Sequence, residues 1–173
     1  MGDRAQFFVK DYSDTGFPSE QYDAIFTLET LVHSPNVERT LAELYRILKP
    51  GGSITHHEYS LASDDQFTPR ERGIVALMNE ESAMTSLPRF RFGVLGQLLR
   101  ETGFIDVKTE DDTAGFLPSL RQYYHKGFAL YQPVRLLGLG RRFPNVTSMV
   151  EMYPIARKGL IRYDIVTARK PEE

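Results

Sequence analysis

The fold is decided by the stretch Tyr22–Tyr59, whose sequence is YDAIFTLETLVHSPNVERTLAELYRILKPGGSITHHEY. Its first part, Tyr22–Leu28, is rich in aromatic and branched side chains, which is typical of a buried strand. Its last part, Ser53–Tyr59, predicts a second strand, and the residues between the two predict a helix. A strand–helix–strand unit of this length is a crossover, so we expect parallel strands and a right-handed connection.

The helix inside this stretch carries start and stop signals. Ser34 can act as the N-cap, with Pro35 as the first helical residue, where its missing N–H costs nothing. Pro50-Gly51-Gly52 predicts the end of the helix. Between these signals, apolar residues recur at helical intervals and predict one buried face, which comprises Val37, Leu41, Leu44 and Leu48.

The rest of the chain adds further strand and helix candidates. The strand candidates are Gln6–Lys10, Phe104–Thr109 and Leu160–Ala168. A capping box with proline at the first helical position starts a helix at Thr68. A second apolar helical pattern, in Val94–Leu99, is closed by Gly103. Residues 114–159 cluster aromatic and leucine side chains and predict two or three helices.

Composition excludes several function classes. The 173 residues suit one domain, and 41% hydrophobic with 25% charged residues is ordinary for a globular protein. A net charge of −2 gives no electrostatic reason to expect nucleic acid. There is no cysteine, and the four histidines lie outside known ligand spacings, so we expect neither disulfides nor a metal. We see no signal peptide and no apolar run that could span a bilayer, and we expect a cytoplasmic protein.

An ordered set of residues in the opening stretch matches a known family. In chain order the set is Tyr22-Asp23, Glu29, His33, Arg46–Gly52 (RILKPGG) and Glu58. It resembles the middle of the class I S-adenosylmethionine-dependent methyltransferases, and in particular the sterol 24-C-methyltransferases and their relatives. The string LLRETGF at Leu98–Phe104 matches the family again.

The resemblance implies an α/β fold, a partial Rossmann-like methyltransferase sheet with helices on both faces and an antiparallel last strand. It places Tyr22–Leu28, Ser53–Tyr59 and Leu160–Ala168 side by side, with Phe104–Thr109 at the edge. It also makes residues 114–159 the variable helical segment that helps to wall the substrate pocket.

The resemblance further implies S-adenosylmethionine as the cofactor. Asp11 and Tyr12 occupy the place of the family's adenine contact, although Asp11 could instead simply open a turn. The segment Thr27-Leu28-Glu29 is expected to line the same site, because it ends a strand at the position that matches the family.

Three residues are candidates for catalysis by resemblance and position. Glu29, His33 and Glu58 fall at or just beyond the carboxyl ends of strands, where α/β sheets bind ligands. A carboxylate or an imidazole can take the proton that a methylated acceptor loses. His33 could equally be a helix-entry residue satisfied by the backbone, and Glu58 a solvated strand end. His56 and His57 point to opposite faces of their strand, and we expect neither to be catalytic.

The cofactor half of the family is not found in this sequence. The only glycines before Tyr22 are Gly2 and Gly16, so the glycine-rich turn that approaches the methionine part of the cofactor is missing. We therefore expect residues 1–173 to be a single, N-terminally truncated methyltransferase domain that binds S-adenosylmethionine weakly or not at all by itself. Tyr22–Leu28 should then be an exposed apolar edge, covered by Gln6–Lys10, a second copy or a complementing chain.

The leading functional prediction is S-adenosylmethionine-dependent methyl transfer to an apolar small molecule, such as a sterol or lipid-like metabolite. With such a substrate, a peripheral association with an internal membrane is expected. A second hypothesis comes from another class: a non-catalytic methyltransferase remnant that serves as a binding or interaction module. In a third, a separate chain supplies the first half.

Overall fold

In the computed structural model, which describes residues 5–139 and 142–172, a four-stranded sheet has the order β1-β2-β4-β3. The strands are β1 (Tyr22–Leu28), β2 (Leu48–Leu61), β3 (Ile105–Asp111) and β4 (Ile161–Arg169). β1 and β2 are parallel, and β4 runs antiparallel to both of its neighbours, β2 and β3. The predicted fold class and strand order are therefore confirmed.

Five helices connect or flank the strands in the described part of the chain. They are α1 (Val37–Ile47), α2 (Pro69–Glu81), α3 (Val94–Thr102), α4 (Thr113–Leu136) and α5 (Pro144–Arg157). α1 and α3 contact each other and pack on one face of the sheet, whereas α4 and α5 pair with each other and lie over one end of the other face. The predicted capping box at Thr68 is present at the start of α2.

The start of α1 differs from the prediction. Asn36, not Ser34, is the N-cap, and its side-chain oxygen accepts a hydrogen bond from the Arg39 amide at 2.9 Å. Ser34 instead closes a 3-10 turn over Leu31–His33, and its hydroxyl is buried against that of Thr40 at 2.9 Å. The helix begins later because Ser34, the predicted N-cap, instead ends this 3-10 turn.

The end of α1 also differs from the prediction. The glycine pair was expected to be a stop before a strand at Ser53, but β2 already begins at Leu48. The Gly51 amide donates to the carbonyls of Lys170 and Pro171, each at 3.1 Å, and so joins the segment after β4. The positive φ of 72° at Gly51 gives the irregular pairing that a side chain would disfavour here.

The core lies between α1, α3 and the central strands. The predicted apolar face of α1 is confirmed, because Val37, Leu41 and Leu48 are fully buried and Leu44 is 6% exposed. These side chains pack with Ile54 of β2 and their partners on β4 and α3 in one continuous cluster. The helix of the crossover, α1, therefore packs on the strand that follows it, β2.

The outer side of β1 carries no strand in the described part of the chain. β1 pairs with β2 alone, and Phe26 and Leu28 are 77% and 60% exposed. The predicted strand Gln6–Lys10 is wrong: residues 5–10 form no ladder, and Phe8 reaches the body through an edge-on contact with Phe17 at 5.3 Å. A strand requires a hydrogen-bonding partner, which the local pattern of this segment could not reveal.

No helix within residues 5–139 or 142–172 is long and apolar enough to cross a bilayer.

We expect the open edge of β1 to drive self-association in solution. Replacing Phe26 by Lys places a charge on this edge and removes an aromatic side chain that a paired copy would bury. The variant should weaken self-association by at least about tenfold, because burial of such a side chain is worth about 1.5–3 kcal/mol. Light scattering over a concentration series measures the change.

The matched control is Ile105→Lys, which adds the same charge to the opposite edge strand, where Ile105 is 47% exposed. This control should leave self-association unchanged. Monomeric behaviour of the unmodified chain at every concentration, or equal weakening by both variants, would show that β1 is not the contact edge.

Candidate functional site

The carboxyl end of β1 carries a strained residue at the centre of the site. Glu29 has a φ of 51°, in the left-handed region that non-glycine residues avoid, and its amide donates to the carbonyl of His57 at 2.8 Å. In regular strand alternation, Glu29 would share the face of Thr27. The left-handed turn instead brings the Glu29 side chain to the opposite face, beside Tyr59. Such strain persists where surrounding structure holds it, and it is typical of functional sites.

Glu58 supplies part of that surrounding structure. It is 1% exposed, and its Oε1 accepts hydrogen bonds from the amides of Thr30 (2.8 Å) and Leu31 (2.7 Å). Its Oε2 is also buried and has no partner among the described residues. Burial raises the pKa of Glu58 to about 7, although the backbone N–H groups act in the opposite direction. The carboxyl group therefore fixes the turn that follows β1. Near neutral pH, both its protonated and its ionised form are present.

Glu29 faces a cluster of aromatic rings that the sequence analysis did not select. Phe116 of α4 stacks on Tyr163 of β4 with ring centres 4.7 Å apart, and Tyr59 contacts both rings edge-on. Burial, followed by the nearby Glu29 carboxylate, raises the pKa of Tyr163 to about 12 and that of Tyr59 as well. Both phenols are therefore neutral donors at physiological pH.

The α4 helix is fixed over this cluster by its own N-terminus. The Asp112 amide donates to the carbonyl of Tyr163 at 2.9 Å, and the Tyr163 amide donates to the hydroxyl of Thr113 at 3.0 Å. These two bonds tie the first turn of α4 to β4. They determine where Phe116, one turn later, meets the sheet.

A cavity of about 480 Å³ lies between the aromatic cluster, α2 and α4. Glu29 supplies a carboxylate at one end, and the wall is mostly apolar or aromatic: Tyr59, Val75, Met78, Leu87, Phe116, Leu120, Tyr123, Met152 and Ile161. A volume of this size suits a small organic ligand, and a mostly apolar wall with few polar groups is typical of such sites.

His33 and Glu58 do not line this cavity. The Nδ1–H of His33 donates to the carbonyl of Ala83 at 3.1 Å, so the imidazole bridges the turn after β1 to the segment after α2. The flanking residues Ser82 and Met84 do line the cavity. His33 is therefore placed beside the cavity rim. Of the three candidate catalytic residues, the structure brings Glu29 alone to the cavity wall.

The segment with Asp11 and Tyr12 forms a tight turn near the same end of the sheet. Asp11 Oδ1 accepts hydrogen bonds from the amide and the hydroxyl of Ser13, both at 2.8 Å, and these bonds lower the pKa of Asp11. Tyr12 is half-buried, and burial raises the pKa of its phenol, with added effects from the carboxylates of Asp11 and Glu58. The alternative in which Asp11 opens a turn is thus observed, and Oδ2 is left for another partner.

An ion pair between the buried Glu43 and the partly exposed Arg46 holds this segment against α1. The Glu43 carboxylate accepts hydrogen bonds from the Thr15 amide at 2.9 Å and from Arg46 Nε at 2.8 Å. Arg46 in turn donates to the carbonyl of Phe17 at 2.8 Å. Arg46 and Thr15 lower the pKa of Glu43 to about 2 against the opposing effect of burial. The spacing of Glu43 and Arg46 on a helix predicts contact between them, but nothing local predicts Thr15.

The remaining cofactor candidates lie in β1. The hydroxyl of Thr27 shares a hydrogen bond of 2.7 Å with Nδ1 of His56, which is fully buried in β2. Burial lowers the pKa of His56 to about 3, so the ring is neutral and its Nε2 has no partner among the described residues. Leu28 is 60% exposed on the open face of the sheet. Thr27 and Leu28 therefore offer mainly their backbone to a ligand.

Comparisons with known proteins relate the chain to methyltransferases. A family model described as a methyltransferase domain matches residues 2–55. An S-adenosyl-L-methionine-dependent Diels-Alderase from Talaromyces variabilis is 32% identical over 162 residues, or 89% of this chain and 53% of that protein. The sterol 24-C-methyltransferase of Yarrowia lipolytica is 27% identical over 125 residues, or 72% of this chain and 32% of that enzyme. The chain spans about half or less of these relatives.

Solved structures show the same fold. Phosphoethanolamine N-methyltransferase 2 of Haemonchus contortus, in complex with S-adenosyl-L-methionine, matches with a TM-score of 0.69 at 17% identity, over 93% of this chain and 36% of that chain. The 4+2 cyclase SpnF matches with a TM-score of 0.68 at 21% identity, over 99% of this chain and 57% of that one.

The chain thus shares its fold and an ordered set of sequence motifs with the class I S-adenosylmethionine-dependent methyltransferases. The resemblance inferred from the sequence is thereby confirmed, and S-adenosylmethionine is the cofactor of this family.

Part of the methyltransferase donor set fits that cofactor. The ionised Asp11 carboxylate has a free oxygen that can accept a hydrogen bond from an amino group, and the Tyr12 ring beside it offers a flat apolar face. These two groups suit an adenine ring. In residues 5–21, Gly16 is the one glycine, so the described segment before β1 offers no glycine-rich turn to the amino-acid end.

We expect Glu58 to make stability fall as pH rises. Its folded pKa of about 7 lies above the ordinary value of 4.5, so its contribution is fully present below about pH 4.5 and is lost as pH rises through about 7. Glu58→Gln keeps an oxygen for the Thr30 and Leu31 amides but does not titrate. Across this pH window, the free energy of unfolding of wild type should fall by about 3 kcal/mol more than that of the variant, as measured by urea unfolding.

The control for this titration is Glu110→Gln, at an exposed carboxyl group in the edge strand β3. It should follow the wild-type pH profile. Parallel profiles for wild type and Glu58→Gln between pH 4.5 and 7 would contradict a buried, titrating Glu58.

We expect Glu43 to make stability fall as pH decreases, which is the opposite of the effect of Glu58. Its lowered pKa means that its contribution is fully present above about pH 4.5 and is lost as pH falls through about 2. Glu43→Gln should lower the free energy of unfolding at neutral pH by about 1–3 kcal/mol, because the buried donors of Thr15 and the partly exposed Arg46 lose a charged acceptor.

The control is Glu38→Gln on the same helix, where an exposed pair with Arg89 should contribute under about 1 kcal/mol. Hydrogen exchange at the Thr15 and Phe17 amides should also rise in Glu43→Gln alone. Equal effects of the two variants would show that the buried pair does not hold the segment.

Proposed function

We propose that this protein transfers a methyl group from S-adenosylmethionine to an apolar small molecule held between α2 and α4. The observation that carries the proposal is the Glu29 carboxylate, held by a left-handed backbone at one end of an apolar cavity of about 480 Å³. A carboxylate that faces a mostly apolar cavity is suited to proton removal from a bound acceptor.

The cofactor, when bound, supplies an electrophilic methyl group on a positively charged sulfur. The protein's own residues orient the acceptor and stabilise the charge that the acceptor gains. The rings of Tyr59 and Phe116, which line the cavity, offer negative ring density to a cationic acceptor. Glu29 takes the proton that the acceptor releases when the new bond forms. Asp11 and Tyr12 hold the adenine end, and the backbone of Thr27 and Leu28 lines the cofactor site.

Two of the candidate catalytic residues act in this proposal through the backbone. Glu58 holds the amides of Thr30 and Leu31 and so positions Glu29, one residue earlier. His33 holds the carbonyl of Ala83 and so positions the cavity rim. Both are positioning residues rather than groups that contact the acceptor.

The proposed substrate class is a sterol or another lipid-like metabolite. The mostly apolar wall supports this class, and so do the relatives named as sterol 24-C-methyltransferases. The helical segment 114–159 supplies five of the thirteen residues of the wall, which supports its proposed role as a variable pocket segment: Phe116, Ser119, Leu120, Tyr123 and Met152. A substrate of this kind favours an intracellular protein that works at the surface of an internal membrane.

A second candidate is ring closure by cycloaddition in the same cavity. The named relative at 32% identity is a Diels-Alderase, and one matching structure is a 4+2 cyclase. The neutral phenol of Tyr59, which lines the cavity, can donate a hydrogen bond to a polarised substrate carbonyl without any proton loss. In this alternative the cofactor is not consumed.

The test measures S-adenosylhomocysteine release and the mass of the product with sterols that carry a side-chain alkene, at saturating cofactor. Methyl transfer predicts stoichiometric release and a product larger by one CH₂. Glu29→Gln should lower the turnover rate by about 10²–10⁴-fold, because the carboxylate base is removed while its size is kept. Calorimetry with S-adenosylhomocysteine separates this effect from a loss of cofactor affinity.

The matched control is Glu20→Gln, which changes another glutamate of positive φ (57°) outside the cavity and should leave turnover unchanged. Product of unchanged mass without S-adenosylhomocysteine release would support cycloaddition. Ligand binding without any turnover would support the non-catalytic binding module. Full activity of Glu29→Gln would remove Glu29 from the role of base.

A further inference from the structure

A second cavity, of about 460 Å³, lies between α2 and the segments that follow β2 and precede α3. One face of α2 supplies four of its residues, at a spacing of three, one and three positions: Arg72, Val75, Ala76 and Asn79. The other segments supply the rest of the wall: Leu61, Asp64, Phe67, Pro88 and Arg91. No step of the proposed methyl transfer uses this second cavity.

The buried side chains in the wall of the second cavity are apolar. Leu61, Phe67 and Val75 are 1%, 3% and 8% exposed, and all three belong to the core of the protein. Ala76 adds a methyl group at an exposed position of α2. A ligand that fits this wall therefore has an apolar body.

Two arginines of the wall are held in place by the backbone. Nη1 of Arg91 donates to the carbonyl of Ala62 at 2.7 Å. Nη1 of Arg72 donates to the carbonyls of Asp64 and Phe67, each at 3.0 Å. A guanidinium group that the fold already fixes loses little conformational freedom when it binds a ligand, so the site is preorganised.

The charges in this wall do not cancel. Asp64 is its one acidic residue, and Nη2 of Arg91 already holds the Oδ1 of Asp64 at 2.6 Å. Arg72 has no acidic partner among residues 5–139 and 142–172, and within these ranges its Nε and Nη2 hold no acceptor. The second cavity therefore keeps one positive charge and one edge of a guanidinium group for a ligand.

Asn79 is a polar residue of the same wall whose hydrogen bonding the fold does not satisfy. Its Oδ1 is buried and has no partner in the described part of the chain. Buried polar groups are normally paired, so an amide in this position indicates a place where a ligand group can bind. Because no described residue holds the amide, it can turn its NH₂ group toward an acceptor.

We propose that the second cavity binds a small apolar carboxylic acid in its ionised form. Nε and Nη2 of Arg72 lie on one edge of the guanidinium group, and such an edge matches the two oxygens of a carboxylate. Asn79 donates a further hydrogen bond. The hydrocarbon chain of the acid packs on Leu61, Phe67 and Val75.

The charges favour an anion over other small ligands. A cation would meet Arg72 and Arg91, and a neutral alcohol would leave the charge of Arg72 without a counter-ion. The cavity that contains Glu29 is a poor place for the same acid, because its wall has a carboxylate and no Lys or Arg.

The second cavity is a neighbour of the Glu29 cavity and not part of it. Val75 is the one described residue that lines both. Binding of the acid therefore goes beyond the proposed methyl transfer and does not depend on it.

Calorimetry with octanoate, in the absence of S-adenosylmethionine, tests the proposal. Octanol has the same chain length and no charge, and it should bind at least about tenfold more weakly than octanoate, because hydrogen bonds to a charged group contribute about that factor or more. Hexanoate should also bind about tenfold more weakly than octanoate, since it buries two fewer CH₂ groups.

Substitution of Arg72 tests the charged end of the site. Arg72→Gln should weaken octanoate binding by at least about tenfold. Arg72→Lys keeps the charge but loses the planar edge, and its affinity should lie between those of Arg72→Gln and wild type. The matched control is Arg100→Gln on α3, where an exposed arginine also donates to a carbonyl, that of Val107 at 3.3 Å. This control should bind octanoate like wild type.

A steric pair of variants tests the location. Ala76→Leu fills the second cavity without changing its charge and should weaken octanoate binding by at least about tenfold. Ser119→Leu also introduces a leucine, but in the wall of the Glu29 cavity, and should leave octanoate binding unchanged. Both positions are exposed on their helices. Circular dichroism and thermal unfolding check that every variant is folded, and Ala76→Leu with Arg72→Lys replaces Arg72→Gln if that variant unfolds.

Several results would overturn the proposal. Wild type that does not bind octanoate, or that binds octanol as tightly, would remove the carboxylate site. Equal weakening by Arg72→Gln and Arg100→Gln would show that Arg72 has no specific part. Loss of binding in Ser119→Leu but not in Ala76→Leu would place the acid in the Glu29 cavity. Because none of these measurements involves turnover, an inactive protein that binds octanoate as described would reject the proposed function and keep the second site.

Discussion

The site depends on one buried carboxyl group. Glu58, on the neighbouring strand β2, accepts hydrogen bonds from the amides of Thr30 and Leu31. It is buried, so water cannot take its place. Two opposing effects meet there: burial disfavours the ionised form, and the two N–H groups favour it. The carboxyl group is retained because loss of this acceptor would leave two buried donors without partners. Through this contact the end of β2 determines the path of the chain after β1.

The turn that Glu58 holds explains why Glu29 can adopt a costly backbone conformation. The left-handed φ of Glu29 is offset by hydrogen bonds on both sides, one to His57 and those of the following residues to Glu58. This backbone conformation places the Glu29 carboxylate on the face of the sheet covered by α4 instead of the face packed against α1 and α3. A regular strand end would have directed it beneath α1 and α3, away from the aromatic cluster.

The two faces of the sheet are covered to different extents, and this difference organises the rest of the molecule. α1 and α3 fill one face, whereas α4 and α5 cover only the carboxyl-terminal end of β2 and the facing end of β4, where Tyr59 and Tyr163 lie. Phe26 and Leu28 remain exposed on the uncovered part. α4 is held at its N-terminus by Tyr163, and its far half packs against α5, where the buried Tyr131 donates its hydroxyl to Glu151.

The sequence by itself determined the sheet, its strand order and the family. The apolar face of α1, the capping box of α2 and the motif from Tyr22 to Glu58 are local patterns, and local patterns survive without knowledge of partners. It also selected Glu29, Glu58 and His33 as residues near strand ends. Only the tertiary structure showed that Glu29 lines the cavity whereas Glu58 and His33 do not, because the exposure of a residue depends on what packs above the end of its strand.

Tertiary structure likewise decided the start of α1, the failure of Gln6–Lys10 to form a strand and the cluster of Tyr59, Phe116 and Tyr163. Each depends on a partner distant in sequence: Ser34 meets Thr40 and Ser86, residues 5–10 have no strand partner, and the three rings come from β2, α4 and β4. No periodicity encodes such contacts. The ring cluster, for example, forms only when the antiparallel β4 pairs with β2 and brings residues about a hundred positions apart into register.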